Sequence, residues 1–166
     1  MKQVKKFFGK AWLLPSLALM FCLAGCTGNA PAQKTIAAGP IIGPEWFLAE
    51  IRTPEKVIPI DRAKLEDDNM GGFFTLRFEG ETLAIGQGAP NRYRAPCSWG
   101  DDNTLEIGPA AATLMMAVKE PESLKEHEFF NYLARVKRYK LIEGRLELYA
   151  RDSENAPWTI LVFEKD

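Results

Sequence analysis

The sequence predicts a mainly β, α+β domain: an antiparallel sheet or half-open β-barrel with one amphipathic helix packed against it. Two observations carry this. From residue 45 onward, short segments alternate apolar and polar side chains with period two, and Gly, Asn and Asp turn residues separate them. Only one segment repeats its apolar residues at helical spacing, and a helix-start signal opens it.

Trp46-Phe47-Leu48-Ala49-Glu50-Ile51 is the first expected strand. Phe73 to Phe78 follows, with Phe74, Leu76 and Phe78 on one face and Thr75 and Arg77 on the other. Glu79-Gly80-Glu81 turns the chain into Thr82-Leu83-Ala84-Ile85-Gly86, which predicts a hairpin. Asp101-Asp102-Asn103 precedes the alternating Thr104-Leu105-Glu106-Ile107. The run Leu114-Met115-Met116-Ala117-Val118 is expected to be a strand buried on both faces. Helix is predicted for about a dozen residues from Ser123, because Ser123-Leu124-Lys125-Glu126 reads as a capping box. Leu124, Phe129, Phe130, Leu133 and Val136 form its apolar face, and Arg135, Lys137 and Arg138 complement its dipole at the far end. Lys140-Leu141-Ile142 and Arg145 to Tyr149 flank Glu143-Gly144, a tight hairpin, and Trp158 to Phe163 supplies the last strand. The apolar helix face needs the sheet to cover it.

The first residues carry a different message. Residues 1–25 contain Lys2, Lys5, Lys6 and Lys10, no acid, and an uncharged apolar block from Ala11 to Gly25. That is an export signal, too short for the ~20 residues of a spanning helix and further interrupted by Pro15. Leu23-Ala24-Gly25-Cys26 then resembles the lipobox of bacterial lipoproteins. The resemblance implies diacylglycerol transfer to Cys26, cleavage before it, palmitate or a similar chain on the new amino terminus, and membrane attachment. Two or three acyl chains anchor effectively permanently where one binds marginally. The alternative is a plain secretory signal in which Cys26 is incidental. Thr27 in place of an aspartate suits outer-membrane sorting by the enterobacterial rule, with the domain facing the periplasm. The expected organisation is therefore a signal peptide over 1–25, lipid anchor and Pro/Gly/Ala-rich tether over 26–44, and a folded domain over 45–166.

Removing the leader changes the charge. Of 21 basic residues 17 remain against 22 acidic ones, so the exported chain is near −5 rather than −1. No nucleic-acid partner is expected, since phosphate-backbone binding needs clustered Lys/Arg. One histidine and three cysteines cannot assemble a zinc or copper site, so neither metal nor cofactor is expected. Cys22 leaves with the signal and Cys26 is taken by lipid, which leaves Cys97 alone and no internal disulfide.

The ordered motifs of the domain resemble a known family. Trp46-x-Leu48, Gly86-Gln87-Gly88-Ala89-Pro90-Asn91-Arg92-Tyr93, Leu105-Glu106-Ile107-Gly108-Pro109-Ala110-Ala111-Ala112-Thr113-Leu114-Met115, Glu128-Phe129-Phe130 with Leu133, Leu146-Glu147-Leu148 and Leu161-Val162-Phe163 follow the order and spacing of META domains. That family includes the heat-inducible HslJ-like bacterial lipoproteins, and the match spans Trp46 to Phe163. It implies a role in envelope stress tolerance or maintenance. Ala89-Pro90-Asn91 replaces the usual Gly-Cys-Asn, and Leu114, Met116 and Ala117 occupy the region of a second cysteine, so any cysteine pairing of other members is absent.

Taken as physical chemistry, the motif residues Gly86, Gly88, Asn91, Arg92, Tyr93, Gly108, Pro109 and Thr113 are structural. Gly86 and Gly88 permit positive φ, Pro90 fixes φ, and Asn91 tolerates left-handed backbone, so a sharp turn at a strand end is expected, with Gly108-Pro109 acting likewise. Cys97 with His127 would be the one nucleophile pair available, but no protease signature surrounds Cys97 and His127 sits between Glu126 and Glu128. Asp67-Asp68-Asn69 and Asp101-Asp102-Asn103 lack EF-hand spacing and read as turns. Trp99 and Trp158 are either core or the lining of a groove. No catalytic residue is assigned and no ligand-binding residue can be named. The expected function is a non-enzymatic outer-membrane lipoprotein that binds another envelope component. The alternative is a pilotin-like carrier holding a lipid or other apolar ligand inside the half-open barrel.

Overall fold

The computed structural model describes residues 39–116 and 121–165. The expected signal peptide, Cys26, most of the tether, and Ala117 and Val118 lie outside the described residues. Ten strands form one antiparallel sheet: β1 (Glu45–Arg52), β2 (Val57–Pro59), β3 (Thr75–Glu79), β4 (Leu83–Gln87), β5 (Arg92–Trp99), β6 (Leu105–Ile107), β7 (Ala111–Ala112), β8 (Val136–Ile142), β9 (Arg145–Ala150) and β10 (Thr159–Glu164). Their order is β6-β5-β4-β3-β1-β10-β9-β8, with β2 on β1 and β7 on β5. The outer members meet where Thr104 bridges Arg138 and the Tyr139 N–H donates to Asn103 O at 3.0 Å, so the sheet nearly closes into a barrel. A helix packs against it, as the sequence predicts.

Alternation decides which side chains enter. Trp46, Leu48 and Ile51 from β1, Leu76 and Phe78 from β3, Leu146 and Leu148 from β9, and Leu161 and Phe163 from β10 are fully buried. The hairpin at Glu143-Gly144 holds both residues at positive φ, 51° and 82°, the geometry of a two-residue turn whose twist matches its strands. Rings fill the interior: Phe78 and Tyr139 flank Trp99 with centroids 4.9 and 5.0 Å away, and Phe74 and Tyr93 meet Phe129 at 5.4 and 6.0 Å.

Several local expectations are corrected. A second helix, α1 (Arg62–Asp67), was not expected; the Asp61 carboxylate caps it by accepting from Lys64 N at 2.9 Å. Asn69 ends it at φ 58°, with Met70 N donating to Leu65 O and Asn69 N to Glu66 O, the paired bonds of a Schellman stop. The predicted helix, α2 (Glu126–Leu133), is shorter and begins later. Glu128 rather than Glu126 reaches back, accepting from Lys125 N at 2.8 Å, so Lys125 and not Ser123 is the cap. Val136, Lys137 and Arg138 belong to β8, where a register irregularity between Val136 and Arg138 leaves Val136 buried and both cations exposed, so they do not complement the helix dipole. The eight residues Arg92–Trp99 form a strand that the motif, with its expected turn, does not announce.

The run Leu114-Met115-Met116 is not a buried strand. Leu114 is 100% exposed, Met115 62% and Met116 93%. Ile107 faces Cys97 and Ala111 faces Arg94, so four steps of one chain match three of the other and a one-residue bulge carries the chain past Gly108-Pro109 along the same edge of β5. Gly108-Pro109 therefore does not turn the chain back. The run that follows extends beyond the first residue of β5, where no second layer covers it.

Candidate functional site

The motif residues gather where β4, β5 and α2 meet. Asn91 is 6% exposed and uses its amide completely. Its Oδ1 accepts from Thr113 Oγ1 at 2.8 Å and from Met115 N at 2.6 Å; its Nδ2 donates to Met115 O at 3.2 Å and to Glu126 Oε2 at 2.7 Å. Glu126 Oε1 in turn accepts from the backbone N–H groups of Ala89 and Asn91 at 2.6 and 2.7 Å. One carboxylate on the helix thus satisfies two donors of the 88–91 loop, whose Ala89-Pro90 bond is cis, and one amide from that loop grips the backbone of Met115 from both sides. Leu114 and Met116 stand outward from a backbone held in place between them.

The glycines act by absence of a side chain rather than by positive φ, which correct the expected role of Gly86, Gly88 and Asn91: none of the three has positive φ. A Cβ on Gly88 would lie 2.6 Å from Glu126 Oε1 and 2.8 Å from Phe130 Cζ, so this glycine makes room for the carboxylate and the ring. A Cβ on Gly86 would lie 2.1 Å from Thr75 O. That space lets the Tyr93 ring cross beneath β4, where its hydroxyl donates to Thr75 O at 2.9 Å. Thr75 Oγ1 accepts from Gln87 N at 3.1 Å, so a side chain replaces the direct ladder and β3 and β4 part. Burial pushes the Tyr93 hydroxyl far above its ordinary pKa.

A cleft of ≈ 610 Å³ opens on the outer face at this parting. Thr75, Gln87 and Thr113 line one part, and Arg77, Arg92, Arg94 and Glu45 project into it. Gly108 and Pro109 are not part of it; the Gly108 N–H donates to Pro96 O at 2.8 Å on the β5 edge.

The thiol and the imidazole are not brought together. Cys97 is buried on β5, and its Sγ donates to Glu81 O at 3.7 Å. Burial pushes the thiol pKa up to about 11, so it is protonated and weakly nucleophilic at neutral pH. His127 is exposed on α2. Asp102 and Asn103 take φ 54° and 59° in the turn between β5 and β6. Among the described residues no three His, Cys, Asp or Glu side chains cluster as metal ligands. Trp99 is core, whereas Trp158 lies in a surface stack, with the Arg151 guanidinium 4.2 Å from its ring centroid and Tyr149 edge-on at 6.0 Å.

Glu126, Arg77 and Arg94 were missed by sequence reasoning. The Glu126 role has no local signal, because its partners are 35 and 37 residues away. The strict alternation Arg92-Tyr93-Arg94-Ala95 did signal a strand with both arginines on one face.

A nearly closed antiparallel sheet with one helix braced on a cis-proline loop defines a small, mainly β domain. The META domain model matches residues 43–161, and the chain belongs to the META domain family. An NMR structure of a protein from Burkholderia xenovorans is similar over 76% of this chain and 83% of its own, at 20% identity and TM-score 0.57. A DUF4847 family protein from Bacteroides vulgatus covers 76% of this chain and 94% of its own, at 15% identity and TM-score 0.49. The first likeness supports the fold alone. No curated protein sequence matches.

Proposed function

We propose that this chain is a non-enzymatic META-domain lipoprotein, held by lipidated Cys26 on the periplasmic face of the outer membrane, where it supports envelope stress tolerance by binding another envelope component. The observation that carries the binding role is the ledge at Leu114 and Met116. Exposed apolar side chains on a frayed segment are unremarkable, but here the backbone between them is fixed by Asn91, Thr113 and Glu126. Presenting apolar side chains on a pre-ordered backbone lowers the entropy lost on docking. The protonated, buried Cys97, bonded to Glu81 O rather than to His127, supports a role without catalysis.

The carrier alternative gains no support from the interior, where Trp46, Phe74, Phe78, Phe129 and Phe163 are fully buried against one another's surroundings. Native mass spectrometry of the protein from membranes is expected to show no fatty acid or other phosphate-free apolar ligand beyond the covalent anchor. The main reading is tested by deleting the gene and challenging the strain with heat, detergent and hydrophobic antibiotics. Loss of envelope integrity, restored by the wild-type gene and not by Cys26→Ser, is the expected result; a deletion strain indistinguishable from its parent contradicts it.

A further inference from the structure

Of the motif residues at the β4–β5 loop, Arg92 is the one whose side chain the brace does not use. Gly88 makes room, Asn91 and Thr113 bond, and Tyr93 spans to β3, whereas Arg92 is exposed and forms no ion pair or hydrogen bond among the described residues. Its guanidinium lines the ≈ 610 Å³ cleft beside that of Arg94, two residues along the same face of β5 and equally without a partner among the described residues. Arg77 closes the opposite side. The register places Arg77 against Ile85 and Ile85 against Arg94, so Arg77 and Arg94 flank one intervening strand, with backbones roughly 10 Å apart. Arg77 is held by Glu79 Oε1 at 3.0 Å and keeps 44% of its side chain exposed.

This concentration is uneven for the molecule. The chain without its basic leader is acidic, yet the cleft holds three arginines and a single acid, Glu45. Like charges on adjacent same-face positions repel, which costs stability unless an anion sits between them. The neutral groups nearby are already occupied: Thr113 Oγ1 donates to Asn91 Oδ1 and Gln87 Nε2 to Pro90 O, at 2.8 and 3.2 Å. The charged donors of the cleft are guanidinium forks, and those of Arg92 and Arg94 have no partner among the described residues. Such forks match the oxygens of phosphate bidentately, and a tetrahedral group offers oxygens to both walls where a planar carboxylate serves one.

We propose that the cleft between Arg77, Arg92 and Arg94 binds a phosphate-bearing ligand. Arg92 and Arg94 take its anionic oxygens from the β5 wall, and Arg77 neutralises it from β3. The phosphate comes either from a phospholipid headgroup or from a small soluble phosphate compound, and the same guanidinium geometry serves both.

The test uses the full chain in a neutral detergent, with the arginine Nε–H signals followed by NMR during titration. The probes are inorganic pyrophosphate, glycerophosphoglycerol as a soluble phospholipid headgroup, and acetate. Saturable shifts of Arg92 and Arg94 with at least one phosphate probe are expected; the affinity read from the Arg77 Nε–H and the Thr113 amide, which also line the cleft, falls about tenfold or more in Arg92→Gln/Arg94→Gln and is unchanged in Arg138→Gln, whose exposed arginine lies on β8. Tighter binding of glycerophosphoglycerol assigns the headgroup source, and tighter binding of pyrophosphate the soluble one. The substituted side chains are exposed, so an unchanged amide spectrum verifies the fold. Shifts that do not saturate, that survive the double substitution, or that acetate reproduces at the same concentration overturn the proposal.

Discussion

Replacing Asn91 with Ala removes the centre of the brace. Four hydrogen bonds go: from Thr113 Oγ1, from Met115 N, to Met115 O and to Glu126. A net hydrogen bond contributes about 1 kcal/mol and one to a charged group about 2, which sums to about 5 kcal/mol as an upper figure. Met115 is 62% exposed, so water recovers part of its two backbone bonds. Glu126 keeps its two backbone donors. The expected loss is therefore about 3 kcal/mol, which for a domain of this size lowers Tm by about 10 °C. Chemical denaturation followed by circular dichroism gives the free energy, and hydrogen exchange gives its location: the Met115 amide, protected at present by Asn91 Oδ1, is expected to exchange at the rate of a free loop. A loss under about 1 kcal/mol with Met115 still protected would refute the account of the brace. The isosteric Asn91→Asp sharpens it. The introduced carboxylate faces Glu126 at bonding distance, so one of the pair takes up a proton in the folded state only. Its stability relative to wild type is then expected to rise as pH falls from 7 to 5, because the folded state binds the extra proton.

Gly86→Ala is expected to cost about 3 kcal/mol or more, and Gly88→Ala less, because the first Cβ meets the Thr75 carbonyl at 2.1 Å and the second meets side-chain ends able to shift; equal losses in denaturation would contradict that ranking. Tyr93→Phe leaves the buried Thr75 carbonyl without its donor and is expected to cost about 1 to 3 kcal/mol; a neutral effect would show that the hydroxyl does not join β3 to β5. Cys97 should resist aqueous thiol reagents at pH 8 until the protein is unfolded. Its thiol holds its proton up to about pH 11 in the folded state and to about 9 unfolded, so it contributes a loss of stability as pH rises between those values, and Cys97→Ala should flatten that part of the stability profile. An alkylation rate in the native state equal to that in denaturant would show the thiol to be open.

Much of the sheet was legible because one face of each strand is buried, and burial writes period two into the sequence. Leu76 and Phe78, or Leu146 and Leu148, declare their face without help, whereas Phe74 precedes β3 at φ 55° and is buried without belonging to the strand's alternation. The β5 strand shows where that reading stopped: Pro96 at its middle and the Gly-rich loop before it obscured an alternation that runs from Arg92 to Trp99. Pro96 is tolerated there because its side chain lies on the outer face and its carbonyl still accepts from Gly108 N. The helix start was misplaced for a different reason. Glu126 has the right spacing from Ser123 for a capping box, but its carboxylate is committed to a loop 35 to 37 residues earlier, and no local pattern encodes that. The run 114–116 looks buried in the sequence because hydrophobicity alone does not say whether a second layer exists to cover it. Its exposure became visible only from the bulge that carries the edge beyond the end of β5.

The central claim is that the Asn91 brace presents Leu114 and Met116 for docking in the envelope. Complementing the deletion strain with the full chain carrying Leu114→Ser/Met116→Ser tests it most directly, with protein level and lipid attachment at Cys26 held equal to wild type. Both side chains are exposed, so folding is expected to be intact while resistance to detergent and hydrophobic antibiotics fails to return. Full restoration of resistance by the double variant would contradict the claim.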